Sequence, residues 1–285
     1  MLILDGKIVA ESRRKALSEK VQQFKSKQGR SPGLAVVLVG SDPASQVYVR
    51  NKISACGAVG IKSLEFLLPA TASEDGVRQQ IEKLNVQADV DGILLQLPLP
   101  KHLDSDMLTN CIAPEKDPDG LTTANLGLLL AGRPRSISCT PFGVMKILEH
   151  FKINPKGRHA VVVGRSQIVG KPMAQLLLAA DATVTMCHSR TVDLESFTRQ
   201  GDIVVVAAGK PEFLGKSAFK KDAVVVDVGI HRQALPDGKV KLVGDVRAEE
   251  LNGWVSALTP VPGGVGPMTI TMLLENTLQL AQSRG

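Results

Sequence analysis

A stretch near the middle of the chain reads Ala160-Val-Val-Val-Gly164-Arg-Ser-Gln-Ile-Val-Gly170-Lys-Pro172. An apolar run, a glycine turn and the start of a helix follow one another in it. This order predicts a strand that feeds a helix, and such a turn presents backbone N–H groups to a phosphate. Ser166 and Val169 replace the second and third glycines of the dinucleotide fingerprint, so a strand–turn–helix without a ligand stays open.

Helix-like and strand-like segments alternate along the whole chain, which predicts an α/β protein with largely parallel sheets. We expect helices at 7–28, 44–59, 73–85, from 140 onward and at 269–282. We expect strands at 34–39, 63–67, 92–96, 160–163, 183–187, 203–207 and 223–228, and a hairpin at 236–238. Two domains follow: 1–140 plus about 268–285, to which the closing helix returns, and a Rossmann-like domain at 141–267.

Composition is that of an ordinary globular protein, because 44% of the 285 residues are hydrophobic and 22% are charged. No apolar stretch reaches spanning length and the N-terminal segment is too short for a signal peptide, so we expect a cytoplasmic protein without membrane contact. The net charge is +6, but aromatic residues are only 3% of the chain. We therefore expect no nucleic-acid partner, and a basic surface that is solvated or attracts an anionic small molecule.

The cysteines and histidines show no metal-ligand spacing. We expect reduced, mostly buried thiols and no metal ion. The four cysteines lie singly, at Cys56, Cys111, Cys139 and Cys187.

Tyr48 and Lys52 are four residues apart on a predicted helix, so their side chains share a face. A lysine in water has a pKa of about 10.4 and is a poor base near neutrality, but burial lowers such a pKa. A surface Tyr/Lys pair is the structural alternative. Short-chain dehydrogenases have the same spacing, but their glycine-rich loop precedes the pair, whereas Lys52 here lies more than a hundred residues before Gly164. That order argues against the short-chain family.

Two further polar positions follow strand or loop signals. Gln96 ends a predicted strand, where open α/β sheets present ligand-binding groups, so its amide is a candidate to orient Lys52 or a substrate carbonyl. Asp117-Pro-Asp119-Gly120 would hold a carboxylate on a stiff turn, although in isolation a plain turn without a function is the favoured interpretation.

The segment after the strand 183–187 indicates the cofactor type. An NAD enzyme usually has an acidic residue there, whereas this chain reads His188-Ser189-Arg190-Thr191. Arg165, Ser189 and Arg190 are candidates to bind a 2′-phosphate, which favours NADP; an exposed polar loop is the alternative. The segment Thr259-Pro-Val-Pro-Gly-Gly-Val-Gly-Pro267 predicts a stiff loop whose backbone closely approaches a ligand, or else a structural hinge.

Taken together, the chain resembles the bifunctional methylenetetrahydrofolate dehydrogenase/cyclohydrolase family of the bacterial type. The likeness covers essentially the whole chain in the same motif order. It rests on Ser45-Gln-Val-Tyr48-Val-Arg-Asn-Lys52, Asp91-Gly-Ile-Leu-Leu-Gln96-Leu-Pro-Leu-Pro100, Lys116-Asp-Pro-Asp119-Gly120, Cys139-Thr-Pro-Phe-Gly143, Val163-Gly-Arg-Ser-Gln-Ile-Val-Gly-Lys-Pro172 and Thr259–Pro267. The chain departs from the pattern at Ser54, Gly57-Ala58, Pro118 and Ser138.

The resemblance implies NADP-linked oxidation of 5,10-methylenetetrahydrofolate to the methenyl form and its hydrolysis to 10-formyltetrahydrofolate in one cleft. It implies that Lys52 is the central catalytic group and that Gln96 orients it. Tyr48 would pack against the aromatic middle of the folate, and Asp119 would hydrogen-bond the pterin. Further folate contacts would come from Leu97, Pro98, Pro262, Gly263, Gly264, Val265 and Gly266. The NADP contacts would come from Gly164, Arg165, Ser166, Ser189, Arg190 and Ile230.

The resemblance also implies tetrahydrofolate derivatives as partners, polyglutamylated forms among them, and a homodimer. Two other hypotheses stay open at this point. One is an NADP-dependent dehydrogenase of the shikimate or amino-acid type on a similar two-domain frame. The other is a non-catalytic nucleotide-binding or RNA-binding protein, which would show salt-sensitive polynucleotide binding and no turnover.

Overall fold

The computed structural model describes residues 1–234 and 240–284, with Ala44 described by its backbone only. The chain forms two compact units, and each is discontinuous in sequence. Unit 1 comprises Met1–Glu11 and Thr140–Thr269, and unit 2 comprises Ser12–Cys139 and Ile270–Gly285. Both ends of the sequence therefore contribute to the folding of distant segments.

Strands and helices alternate as predicted. The strands in chain order are β1 (Leu2–Ile3), β2 (Gly33–Val39), β3 (Lys62–Leu68), β4 (Gly92–Leu95), β5 (His159–Val163), β6 (Thr183–Cys187), β7 (Ile203–Val206), β8 (Val224–Asp227), β9 (His231–Ala234), β10 (Val240–Val243) and β11 (Ala257–Leu258). The α-helices are α1 (Gly6–Gln28), α2 (Pro43–Val59), α3 (Glu74–Val86), α4 (Ser105–Asn110), α5 (Thr123–Leu130), α6 (Cys139–His150), α7 (Gly170–Ala179), α8 (Leu194–Thr198) and α9 (Val265–Arg284).

Unit 2 is built on a parallel sheet with the strand order β3-β2-β4. Every residue of the central strand β2 is buried, as expected for an apolar strand that is paired on both sides. Val77, Ile81 and Leu84 of α3 recur at helical spacing and pack into the same core. Because the strands are parallel, β2 and β4 end at the same edge of the sheet, and Gln96 follows β4 there.

Unit 1 contains a six-stranded parallel sheet with the order β1-β11-β8-β7-β5-β6. The inner strands β7 and β8 are buried along their whole length and consist almost entirely of β-branched residues, which suit a strand covered on both faces. Phe219 and Trp254 pack with the apolar side chains of this sheet. The carboxyl ends of β5, β6, β7 and β8 share one edge, where open α/β sheets bind ligands. A separate antiparallel pair joins β9 and β10.

The predicted α/β fold with a Rossmann-like unit and a returning C-terminal helix is confirmed. Most predicted segments agree with the structure within one or two residues. Helix α9 begins four residues earlier than predicted, because Gly266 and Pro267 fall in its first turn, where backbone N–H groups need no helical partner. Strands β1 and β11 were not predicted, and each has only two residues. The predicted hairpin at 236–238 lies outside the described residues.

The first residues of the chain belong to unit 1, whereas the sequence placed 1–140 in the other domain. Leu2 pairs with Ala257 and Ile3 with Leu258, so β1 extends the large parallel sheet. Gly6 also lies so close to the 259–267 loop that a Cβ there would be 1.7 Å from the Gly264 carbonyl oxygen. A strand of two residues has no recognisable sequence pattern, and its pairing with a strand far along the chain could not be predicted. Among the described helices, none combines the length and apolar character that a bilayer crossing requires.

Candidate functional site

Lys52 lies on α2, and the sequence determines where this helix begins and ends. The Asp42 carboxylate accepts a backbone N–H of the first turn at 2.8 Å, and Pro43 is the first helical residue. Gly60 ends the helix in a left-handed conformation with φ of +86°. These are the residue types favoured at helix starts and ends. Tyr48 and Lys52 are thereby held one turn apart on the helix, as the spacing predicts.

The Lys52 ammonium contacts the Gln96 side chain inside unit 2. Lys52 is 9% exposed, and its Nζ donates to Gln96 Oε1 at 3.0 Å. The Gln96 Nε2 donates to the carbonyl of Leu97, which leaves Oε1 facing the lysine. The backbone N–H of Gln96 donates to Val37 and so continues the sheet beyond β4. Tyr48 differs from the pair in being 44% exposed.

The turn that carries Asp119 is held by the buried carboxylate of Asp117. Asp117 Oδ1 accepts the N–H of Gly120 at 2.9 Å, and Oδ2 accepts Asn125 Nδ2 at 2.9 Å and a second backbone N–H at 2.8 Å. Ser138 Oγ donates to the Gly120 carbonyl at 3.2 Å. Gly120 has φ of +65° and a Cβ there would meet backbone at 2.8 Å, so glycine is required. The departure from the family pattern at Ser138 therefore adds a bond to this turn.

Asn276 of α9 fixes the same turn from a distant part of the chain. Its Nδ2 donates to the Pro118 carbonyl at 2.7 Å and to the Ile137 carbonyl at 2.8 Å. The Cys139 thiol donates to the Pro118 carbonyl as well, at 3.3 Å. Asn276 was not predicted as a site residue, because it stands between Glu275 and Thr277 and the sequence does not distinguish it from these polar neighbours.

The environment of Cys139 relates Asp119 to Lys52. Burial raises the pKa of the Cys139 thiol well above its usual range, and the neighbouring Asp119 carboxylate raises it further. The Lys52 ammonium acts in the opposite direction on the same thiol. The charges of Lys52 and Asp119 therefore both act on the Cys139 thiol, and Lys52, Gln96 and Asp119 all belong to unit 2.

In unit 1 the glycine turn after β5 is closely packed, as the sequence of residues 160–172 predicts. Gly164 has φ of +131°, and a Cβ there would lie 2.2 Å from the Ala207 carbonyl oxygen. A Cβ at Gly170 would lie 2.1 Å from the Gly164 carbonyl oxygen. Ser166 Oγ accepts the N–H groups of Val169 at 3.1 Å and Gly170 at 3.4 Å, so this hydroxyl fixes the turn against the residues where α7 begins.

The other predicted cofactor residues lie at the carboxyl edge of the same sheet. Ser189 and Arg190 follow β6 in an exposed turn, and the Arg190 N–H donates to His188 Nδ1 at 3.2 Å. Arg165 follows β5 and is also exposed. Ile230 follows β8 and is 47% exposed. Two guanidinium groups and a hydroxyl thus follow β5 and β6 at the edge where open α/β sheets bind ligands.

The loop 259–267 belongs to unit 1, so the predicted folate residues are divided between the two units. Its Val261–Pro262 peptide bond is cis, and Gly263 adopts φ of +108°. The N–H of Gly264 donates to the Pro260 carbonyl at 2.8 Å, and α9 begins at Val265 with Gly266 next. The predicted Leu97 and Pro98 lie in unit 2 beside Gln96, joined by the other cis bond of the described chain. Over residues 1–234 and 240–284, no group of three or more His, Cys, Asp or Glu side chains has metal-binding geometry.

Two family models match the chain. The model described as tetrahydrofolate dehydrogenase/cyclohydrolase, catalytic domain, matches residues 4–119. The model described as tetrahydrofolate dehydrogenase/cyclohydrolase, NAD(P)-binding domain, matches residues 138–285.

Individual relatives give the same result. The bifunctional protein FolD of Bdellovibrio bacteriovorus is 56% identical over 284 residues, which are 100% of this chain and 98% of the relative. The crystal structure of bifunctional FolD from Campylobacter jejuni has 46% identity and a TM-score of 0.95, with 100% of both chains covered. The Trypanosoma brucei FolD structure, complexed with NADP cofactor and inhibitor, has 38% identity and a TM-score of 0.95, with 100% of this chain and 98% of that chain covered.

The predicted resemblance is confirmed by these matches, and with it the prediction of a bifunctional dehydrogenase and cyclohydrolase. A shikimate-type dehydrogenase and a non-catalytic nucleotide-binding protein are not favoured, because both halves of the chain match models of the folate enzymes. The chain belongs to the tetrahydrofolate dehydrogenase/cyclohydrolase family.

Proposed function

We propose that this chain oxidises 5,10-methylenetetrahydrofolate with NADP and hydrolyses the resulting methenyl cation to 10-formyltetrahydrofolate, with Lys52 as the central catalytic group. The observation that carries the proposal is the buried contact between Lys52 Nζ and Gln96 Oε1 in a chain of this family. A lysine ammonium that is buried against a side-chain amide is uncommon, because long charged side chains are almost never fully buried unless they are paired.

In the oxidation, a hydride leaves the one-carbon bridge of the folate and the substrate becomes an amidinium cation. NADP, when bound, accepts that hydride at its nicotinamide ring. The chain's own contribution is to bind and orient the folate. Asp119 accepts hydrogen bonds from the pterin on a turn that Asp117 and Asn276 keep rigid. The exposed ring of Tyr48 packs against the aromatic middle of the folate.

In the hydrolysis, water adds to the amidinium carbon and loses a proton, and the bond from that carbon to N5 then breaks as N5 takes up a proton. The product carries the formyl group on N10. Lys52 moves the proton between the water and the folate nitrogen. Gln96 fixes the direction of the amine, because its own amide is held in turn by the Leu97 carbonyl.

The cofactor assignment to NADP is supported by side chains of unit 1. Gly164 lets its turn pack closely against Ala207 at the carboxyl edge of the sheet, and Arg165, Ser189 and Arg190 supply charge and hydrogen-bond donors for a 2′-phosphate. The five residues after β6 contain no acidic side chain that would repel this phosphate. NADP is the cofactor present in the structure of the Trypanosoma brucei relative.

The test measures both reactions in the wild type and in Lys52→Ala. The wild type should form the methenyl absorbance from NADP and methylenetetrahydrofolate, and should then remove it by hydrolysis. Lys52→Ala should lower hydrolysis by about 100-fold or more, the contribution typical of a positioned proton-transfer group. NADP binding, measured by calorimetry, should not change, because Lys52 lies in unit 2.

Lys83→Ala is the matched control, since Lys83 is an exposed lysine on α3 of the same unit. Both of its activities should equal those of the wild type. Full hydrolysis by Lys52→Ala would refute the role of Lys52, and a wild type without methenyl formation would refute the dehydrogenase activity.

Three finer points belong to the same proposal. The homodimeric state and the use of polyglutamylated tetrahydrofolates rest on the resemblance, and the cytoplasmic location rests on the sequence features described above. Light scattering that gives the 30.3 kDa mass of one chain would contradict the dimer.

A further inference from the structure

The buried carboxylate of Asp245 gathers backbone N–H groups from the loop that follows β7. Its Oδ2 accepts the N–H groups of Ala208 at 2.6 Å and Gly209 at 3.0 Å, and its Oδ1 accepts that of Lys210 at 3.0 Å. Asp245 has no exposed surface. Three consecutive N–H groups directed at one carboxylate make the 207–210 loop curve around this side chain.

The second loop of this edge is tied to the same carboxylate. His231, the first residue of β9, places its Nε2 2.7 Å from Asp245 Oδ1. Gly229 lies so close that a Cβ there would be 2.3 Å from Asp245 Oδ1. The 207–210 and 228–231 loops, which follow neighbouring strands, therefore share one buried anion.

Asp227, the last residue of β8, holds Asp245 from behind. Asp227 Oδ1 accepts the N–H groups of Gly229 at 2.9 Å and Asp245 at 3.0 Å, and Oδ2 accepts that of Val246 at 2.9 Å. Burial raises the pKa of Asp227 to about 6. The 228–231 loop is thus held at Gly229 through its backbone by Asp227 and at His231 through its side chain by Asp245, with Ile230 between them.

The hydrogen bonds of Asp227, Asp245 and His231 thus form one network, and the loops that it holds lie at the carboxyl edge of the unit 1 sheet. Ala207 follows β7 and donates its N–H to the Val163 carbonyl at 2.8 Å. It also lies directly against Gly164, in the glycine turn after β5. Ligands of open parallel sheets bind at this edge. A purely structural network would contribute to the stability of unit 1 without affecting one reaction more than the other.

We propose that Asp245, together with His231, is a positioning pair that holds the 207–210 and 228–231 loops for the dinucleotide and so supports the dehydrogenase reaction but not the hydrolysis. The inference rests on the proposed function, since it assumes that NADP binds at the carboxyl edge of the unit 1 sheet. Neither residue needs to contact the reacting atoms.

The experiment compares the two reactions in the same variant. Asp245→Asn keeps the shape of the side chain but places an amide NH₂ against backbone N–H donors, and His231→Leu removes one donor from the carboxylate. The dehydrogenase kcat/KM should fall by about 10-fold or more in each, with a higher KM for NADP, as expected when a charge-assisted hydrogen bond is lost. Hydrolysis of methenyltetrahydrofolate, assayed without NADP, should stay within about twofold of the wild type.

His231→Gln is the conservative variant, because its Nε2 can donate to Asp245, and it should recover part of the NADP affinity. Asp222→Asn is the matched control: Asp222 is an exposed residue of unit 1 with φ of +63°, a conformation that asparagine tolerates. It should leave both reactions unchanged.

The outcomes are distinct. Equal losses of both reactions in Asp245→Asn and His231→Leu would show a merely structural network and overturn the proposal, as would unchanged NADP kinetics in both. Failure of the underlying function would appear differently, as a wild type that turns over neither substrate.

Discussion

Cys139 is a buried thiol whose ionisation is suppressed from several directions. Burial raises its pKa first, and the Asp119 carboxylate adds to this effect. Burial also raises the pKa of Cys56 to about 12. Since only the thiolate reacts rapidly with alkylating reagents, both thiols should be inert in the folded protein. Cys111 differs because its residue is only half-buried.

Iodoacetamide at pH 8 should therefore label Cys111 first, and Cys56, Cys139 and Cys187 only on the time scale of unfolding. Mass spectrometry of peptides from the labelled native protein measures the order. Cys111→Ser should remove the rapid fraction, and 8 M urea should make all remaining thiols reactive. Rapid labelling of Cys139 in the native protein would show that the Asp119 turn opens readily.

Individual site residues could be predicted from local spacing and from their place in recognised motifs. Tyr48 and Lys52 share a face of α2 because residues four apart are neighbours on any α-helix, whatever the rest of the chain does. The contact of Lys52 with Gln96 joins residues 44 positions apart, and the bond of Asn276 with Pro118 spans 158 positions. Asp245 gave no signal in the sequence, because most of its partners are backbone N–H groups of a loop, and every residue except proline has such a group.

At the scale of elements, Lys116 stabilises the end of α3. It is buried, and its Nζ donates to the Leu84 carbonyl at 3.0 Å and to the Gln87 carbonyl at 2.7 Å. Cations favour the carbonyl end of a helix. Burial nevertheless lowers the pKa of Lys116 to about 8, and the charge of Arg284 acts in the same direction.

The lowered pKa has a defined consequence for stability. Between pH 8 and about 10.5 the unfolded chain keeps the Lys116 proton while the folded chain releases it, so the contribution of this residue to the free energy of unfolding rises with pH. The unfolding free energy of the wild type minus that of Lys116→Met should therefore increase from pH 7.5 to pH 10. Urea titrations at both pH values measure it.

Lys83→Met on the exposed face of α3 is the control and should show no such increase. An unchanged difference for Lys116→Met would place the lysine proton in the folded state across this whole range.

Elements were predictable where pattern and end signals agreed. Ser73 caps α3 at Gly76 and three apolar residues form its buried face, so start, type and orientation were all encoded locally. The short helices α4 and α5 were not predicted, because they contain only one or two turns and are stabilised by tertiary packing more than by their own sequence.

At the scale of the whole molecule, Asp91 joins three distant parts of unit 2. Its carboxylate has no exposed surface and binds Arg30 through two hydrogen bonds of 2.6 and 2.9 Å, the Gly33 N–H at 2.8 Å, and Arg284 at 3.3 Å. The loop after α1, the start of β4 and the end of α9 therefore share one anion. Arg30 and Arg284 remain partly exposed, with 35% and 25% of their side-chain surfaces accessible.

Asp91→Ala should lower the free energy of unfolding by about 3 kcal/mol, because the two guanidinium groups and one N–H lose their common partner. Asp89→Ala provides the comparison two residues away. Its ion pair with Lys62 is about half exposed on both sides and should contribute less than about 1 kcal/mol. Chemical denaturation of both variants measures the difference, and equal losses would show that burial of Asp91 adds nothing.

The division of the chain into interleaved units also affects its synthesis. Strand β1 is synthesised long before its partner β11 near residue 257, and unit 2 needs residues 270–285. Met272, Leu273, Leu274 and Leu278 of that later segment are buried in the folded protein. A nascent chain on the ribosome thus lacks a part of each unit until these later segments have been translated. The apolar surfaces that await those late segments are then exposed to chaperones and to other nascent chains.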